Sequence, residues 1–166
     1  MKNTKKLVLA ALFAALACAA TMSIRIPTPG TGGYIHPGDA IVILSGIFLG
    51  PVYGGLAAGI GSAMSDLLGG YFLYVPITFI IKGAVGFLAG KAFHFVKTKG
   101  IPAWAGVAAG GIADIVLVVF GYGICEIVLY GSAAALGSMI PNLAQGIGGL
   151  VLALLLYPVL SAVPDF

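Results

Sequence analysis

Charge is what this chain has least of. Lys, Arg, Asp and Glu make up 8% of its 166 residues, against roughly a quarter in a soluble domain. Hydrophobic residues reach 60% and mean hydropathy is +1.13, which excludes an ordinary water-soluble fold and points to lipid. Cysteine is scarce as well. Cys18 and Cys125 both lie in apolar stretches and read as small core residues, not as a disulfide or a metal pair. Enzyme signatures are missing: there is no H-E-x-x-H, no G-x-S-x-G and no G-x-x-x-x-G-K-[ST]. His36 and His94 are far apart in the chain, so neither a metal nor a cofactor is expected. The net charge of +3 comes from lysines placed mostly at expected helix ends, which argues against nucleic acid as a partner.

What is abundant is small and apolar. The 26 glycines suit helices packed backbone against backbone in a membrane. A span needs about 20 apolar residues, and breakers divide the chain into six such stretches: Leu7–Ile24, Asp39–Leu49, Val52–Leu68, Tyr74–Val96, Ala103–Tyr130 and Met139–Leu160. Between the first two lies a loop with Pro27, Pro29, Gly30, Gly32, Gly33 and Pro37. A second loop of small residues is expected over Gly131–Gly137. Lys2, Lys5, Lys6, Lys91, Lys97 and Lys99 then collect on one side of the membrane and Arg25 on the other. By the positive-inside rule both termini are cytoplasmic. The expected fold is an all-α integral membrane protein, a six-transmembrane-helix bundle forming a single domain over 1–166.

The start of the chain also has the layout of a secretory signal, with lysines ahead of Leu7–Met22. Ala15-Leu16-Ala17-Cys18 faintly resembles a lipoprotein cleavage site with leucine misplaced. Cleavage would leave an odd number of spans, so a retained first helix is expected. Ala10, Ala11, Ala14, Ala15 and Ala19 give overlapping i, i+4 pairs. This strip either packs inside the bundle or docks a second membrane protein.

The few polar residues inside apolar helices are costly there and mark function. They are Asp66, Lys82, Asp114, Glu126, Asn142 and Gln145, with Tyr71, Tyr74, Tyr122 and Tyr130 toward the same end of the bundle. Lys82 and Asp114 either neutralise each other or serve a ligand. Glu126 has no basic residue four positions away, which favours a ligand or an interhelical contact. Asn142 and Gln145 share a helix face and either join helices or bind a polar ligand. Asp39 reads as a helix N-terminal residue, with Arg25 as a potential partner. Tyr71 and Tyr74 read equally well as interface-belt aromatics.

Several runs resemble a known family. They are Gly33-Tyr34-Ile35-His36-Pro37-Gly38-Asp39, Leu49-Gly50-Pro51-Val52-Tyr53-Gly54, Gly61-Ser62-Ala63-Met64-Ser65-Asp66-Leu67 and Pro141-Asn142-Leu143-Ala144-Gln145-Gly146. With the alanine strip, they resemble the substrate-binding S component of an energy-coupling factor (ECF) vitamin transporter. Gly121-Tyr122-Gly123-Ile124-Cys125-Glu126 looks like the riboflavin-type subgroup, which includes proteins assigned to hydroxymethylpyrimidine or pyridoxine. The resemblance implies high-affinity capture of a vitamin or precursor in the bacterial cytoplasmic membrane. It also implies hand-over to a transmembrane coupling protein and two ATP-binding subunits, so that ATP hydrolysis lies outside this chain. It implies that Ala10, Ala11, Ala14 and Ala15 meet the coupling protein, and that the loop around Tyr34 and His36 closes over the ligand. Tyr122, Glu126, Asn142 and Gln145 would line the pocket, with Lys82 and Asp66 as further candidates. Two alternatives stand beside a pyridoxine- or pyrimidine-like substrate. One keeps the fold and assigns riboflavin or another vitamin. The other is a self-sufficient secondary transporter with Lys82, Asp114 and Glu126 as a proton relay.

Overall fold

The computed structural model describes residues 3–28 and 30–163; Lys2 and Pro29 lie outside them. The chain is helical almost throughout: α1 (Asn3–Ser23), α2 (Asp39–Leu49), α3 (Pro51–Gly69), α4 (Tyr74–Thr98), α5 (Ala103–Val116), a π-helical stretch (Leu117–Tyr122), α6 (Gly123–Tyr130) and α7 (Ser132–Ser161). Four stretches are long and apolar enough to cross a bilayer: Thr4–Ser23, Tyr74–Thr98, Ala103–Tyr130 and Ser132–Ser161. The second expected span forms where expected, but its 11 residues reach only about 16 Å at 1.5 Å per residue, half the hydrocarbon thickness.

Two expectations for irregular segments need correction. The loop between α1 and α2 contains a short antiparallel ladder, β1 (Ile26–Pro27) with β2 (Tyr34–Ile35), in the register Ile26↔Ile35 and Pro27↔Tyr34. Thr28 N–H donates to Gly33 O at 3.0 Å and tightens this hairpin. The expected loop over Gly131–Gly137 shrinks to Gly131 alone, which takes φ +88°. One residue in the left-handed region is enough to break the helix. The alanines and Leu136 after it are good helix formers, so α7 starts at Ser132. That early start places Ser138 one turn ahead of Asn142, beside Glu126.

The helices pack by backbone approach at the end away from the hairpin. A Cβ on Gly46 of α2 would collide with Gly86 O of α4, and one on Gly90 would lie 2.7 Å from Gly46 O. Only glycine permits that separation. Around this contact Phe13, Ile43, Leu44, Val85 and Phe93 form the main apolar core. The alanine strip divides between two faces. Ala10 and Ala14 pack against this core, and a Cβ on Gly61 of α3 would strike Ala14 O. Ala11, Ala15 and Ala19 are exposed. Cys18 and Cys125 are free thiols and only half-buried, not core residues.

The π-helical stretch aims the hairpin-side residues. In an uninterrupted α-helix, twelve residues would set Glu126 about 120° around from Asp114. The wider i→i+5 turn retards that rotation, and both residues end up buried. Tyr122, at the end of the stretch, is buried too and packs with Tyr74, Ile81 and Val118 in a second, smaller core.

Candidate functional site

Polar side chains converge beneath the β1–β2 hairpin. Tyr34, His36, Asp66, Tyr122, Glu126, Asn142 and Gln145, all singled out above, line one cavity. Its envelope measures about 420 Å³ including the open mouth, while the enclosed space is about 30 Å³, room for little more than a water molecule. The hairpin therefore sits close on the cavity floor.

Two hydrogen bonds tie the hairpin down. Tyr34 OH donates to Asp66 Oδ1 at 2.7 Å, and His36 N–H donates to Gln145 Oε1 at 3.0 Å. Asp66 is set for its role by the end of α3. Gly70 caps that helix in the left-handed conformation, and Tyr71 N–H reaches back to Asp66 O at 2.8 Å, the six-to-one bond of a Schellman turn. Burial, with Asp66 adding to it, raises the Tyr34 phenol above its ordinary range, so it stays a donor. Arg25 does not pair with Asp39, as had been expected. Its Nη2 donates to Ser65 O at 3.0 Å, and the guanidinium lies 4.9 Å from the Tyr34 ring centre and 5.7 Å from that of Tyr71. The imidazole of His36 accepts a hydrogen bond from Gly38 N–H at Nδ1, 3.1 Å away. Its pKa is pushed down to about 4, chiefly by burial, against the pull of Asp39 and with help from Lys82 and Arg25. It is neutral at physiological pH.

Glu126 stands on the far wall, 2% exposed. Tyr74 OH donates to its Oε1 at 3.0 Å, and Ser138 Oγ donates to Oε2. Both donors are neutral. Tyr74 is thus a buried wall residue and not an interface-belt aromatic. Across the cavity Thr78 and Tyr122 share a hydrogen bond of 2.9 Å.

Lys82 does not reach the cavity wall. It is completely buried below the wall and forms an ion pair with Asp39; Asp114 is a second carboxylate 3.8 Å away. The candidate pair Lys82–Asp114 is therefore a triad in which Asp39 is the closer partner. Asp39 makes no helix-capping side-chain bond. Its second oxygen accepts from Gln145 Nε2 at 2.8 Å. Gln145 thus spends its amide donor on the triad and its carbonyl on the hairpin. Neither oxygen of Asp114 has a hydrogen-bond partner among the described residues. No hydrogen bond among them joins Glu126 directly to the triad.

Sequence reasoning read Asp39 only as a helix N-terminal residue and missed Thr28, Ser65, Thr78 and Ser138. One signal for Thr78 was present: Tyr74, Thr78 and Lys82 follow one another at i, i+4, i+8 on α4, a polar line on one face.

Comparisons with known proteins agree with this arrangement. The family model for the S component of ECF-type riboflavin transporters matches residues 1–162. The chain is 32% identical over 132 residues to an uncharacterized protein in the gap 3' region of Pyrococcus woesei, covering 80% of this chain and 85% of that one. It is 29% identical over 161 residues to the thiamine precursor transporter HmpT of Lactococcus lactis subsp. cremoris, covering 96% and 90%. A solved structure of the S component of a bacterial ECF transporter superposes with a TM-score of 0.69 at 21% identity, covering 96% of this chain and 97% of that one; at that identity the likeness is one of fold. The apolar helices, the polar cavity under its hairpin and the full-length family match lead to one conclusion: this chain belongs to the S components of ECF-type transporters, membrane transporter subunits and not enzymes, which bind a vitamin or vitamin precursor.

Proposed function

We propose that the cavity beneath the hairpin captures a small aromatic vitamin or vitamin precursor, of the hydroxymethylpyrimidine or pyridoxine type, from outside the cell. The observation that carries this reading is the wall itself, where Glu126, Asn142, Tyr74 and Tyr122 surround one small cavity under the hairpin. A carboxylate, an amide and two tyrosine rings suit a single heterocycle with polar substituents, which stacks on the rings and hydrogen-bonds to the polar groups. The relative HmpT, a thiamine precursor transporter, supports the same choice. The riboflavin reading rests on the description of the family model.

In this reading the whole chain works as one membrane domain of six spans in the bacterial cytoplasmic membrane, its lysine-rich ends inside. The hairpin opens to admit the ligand and closes through Tyr34 and His36. The exposed face of α1, with Ala11 and Ala15, meets the transmembrane coupling protein, and two ATP-binding subunits supply the energy. Ala10 and Ala14, turned toward this chain's own core, support that face from behind.

The test is calorimetric titration of the purified protein with hydroxymethylpyrimidine, pyridoxine and riboflavin, alongside uptake in vesicles that also hold the coupling module. The reading expects one of the two single-ring compounds to bind most tightly. It expects Ala15→Trp to abolish uptake while binding persists. Tightest binding of riboflavin, or uptake indifferent to Ala15→Trp, would contradict it.

A further inference from the structure

The carboxylates of this protein are compensated very unevenly. Asp39 and Asp114 share Lys82. Arg25 is engaged with Ser65 O, Tyr34 and Tyr71. Lys5 and Lys6 start α1 and Lys91 and Lys97 end α4, at the opposite end of the bundle from the hairpin. Glu126 therefore faces the cavity with no Lys or Arg paired to it among the described residues. Its two partners, Tyr74 and Ser138, are neutral hydroxyls. Each carboxylate oxygen keeps a further lone pair. The hairpin backbone lies close by, since a Cβ on Gly33 would be 3.5 Å from Oε1. A buried carboxylate left in this condition is costly. Asp66, the second carboxylate on the wall, adds its field to the same small space, and His36 brings no charge against it.

Resting on the pocket assignment above, we infer that the ligand itself completes Glu126. It presents N–H donors on a protonatable nitrogen heterocycle to this carboxylate, and it carries no phosphate. A 4-aminopyrimidine edge has the right form. Its exocyclic amino group and the adjacent ring nitrogen N3, when protonated, make two parallel N–H bonds to one carboxylate, the geometry that makes Arg–carboxylate pairs strong. A pyridinium N–H supplies one such bond. A phosphate ester would bring further negative charge between Glu126 and Asp66. The site therefore separates free precursors from their phosphorylated forms as well as donors from non-donors.

The experiment needs only the full-length wild-type chain in lipid nanodiscs and matched ligands. Hydroxymethylpyrimidine is titrated beside the benzene analogue with methyl in place of the 4-amino group and CH in place of both ring nitrogens. Pyridoxine is titrated beside its carbocyclic analogue with CH in place of the ring nitrogen. The phosphate esters of both parents complete the set, and riboflavin is added as a control. The expected result is that one parent binds, its donor-free partner binds more than about tenfold more weakly, as suits a hydrogen bond to a charged group, and its phosphate ester binds at least that much more weakly. If a donor-free analogue or a phosphate ester binds as tightly as its parent, the inference is overturned and the pocket assignment survives. If only riboflavin binds, or no compound does, both are overturned.

Discussion

Glu126 and Asp39 are both carboxylates almost without solvent exposure, yet the fold treats them in opposite ways. Asp39 is closed off by protein: Lys82 neutralises it and Gln145 fills its other oxygen. Glu126 is held in place by two neutral hydroxyls and turned toward a cavity. Burial of a charge alone does not mark a binding site. The distinguishing property is whether the protein finishes the job of compensating it. The Lys82 triad supports the floor, and Gln145 connects that floor to the hairpin.

The largest effect should come from removing the cation. Lys82→Met strands two buried carboxylates, and breaking a buried ion pair on one side costs about 3–5 kcal/mol. Thermal unfolding in detergent is expected to show severe loss of the folded protein. Asp114→Leu sharpens the contrast. This carboxylate accepts no hydrogen bond among the described residues, so its replacement is expected to cost far less than the loss of Lys82. Equal damage from the two variants would mean that the assignment of Asp39 as main partner is wrong.

Gln145→Leu comes next, since it removes the link between the two regions. Asp39 loses a charge-assisted hydrogen bond, about 1.5–3 kcal/mol, and His36 N–H loses its acceptor. Hydrogen exchange at the hairpin is expected to accelerate together with the drop in stability. A fall in stability with an unchanged hairpin would break the proposed connection. Tyr34→Phe is milder. It deletes only the bond to Asp66, about 1.5 kcal/mol at the low end for a charged acceptor, and the expected signature is a roughly tenfold faster ligand off-rate with little change in melting temperature.

The pH dependence through His36 is the smallest effect near neutrality and grows only in acid. Its folded pKa is about 4 and its unfolded value about 6.5, so the unfolded or open form binds more protons between those limits. Closure of the hairpin should therefore be fully favoured above about pH 6.5 and weaken as pH falls toward 4. Hairpin exchange rates measured across that window check the sign. Weakening that appears only above pH 6.5 would contradict it.

Much of this architecture was legible in the sequence, for physical reasons. Long apolar runs separated by Gly and Pro mark helices in lipid, and isolated polar residues there stand out because each is expensive. That logic found Glu126, Asn142 and Gln145 on the cavity wall. It failed where one residue type has two ordinary uses. Asp39 begins a helix, where a carboxylate is favoured without any partner, so its tie to Lys82 across 43 positions left no local trace. Ser65 and Ser138 resemble hydroxyls that merely bond back to their own helix, and both do so, to Ser62 O and Ala135 O; the second contact of Ser138 with Glu126 is tertiary. The alanine strip looked like one surface because i, i+4 spacing was counted without a reference face. Only packing against Gly61 separates Ala14 from Ala15.

The most direct test of the account is a side-by-side comparison of Glu126→Gln with the wild type, by calorimetry with hydroxymethylpyrimidine and pyridoxine and by melting temperature. The variant is expected to melt close to the wild type, because one of the Tyr74 and Ser138 hydroxyls can still donate to the amide oxygen and the other can accept from the amide nitrogen. It is expected to bind the preferred compound more than about tenfold more weakly. An unchanged dissociation constant in a folded variant would contradict the claim that Glu126 is the carboxylate the ligand completes.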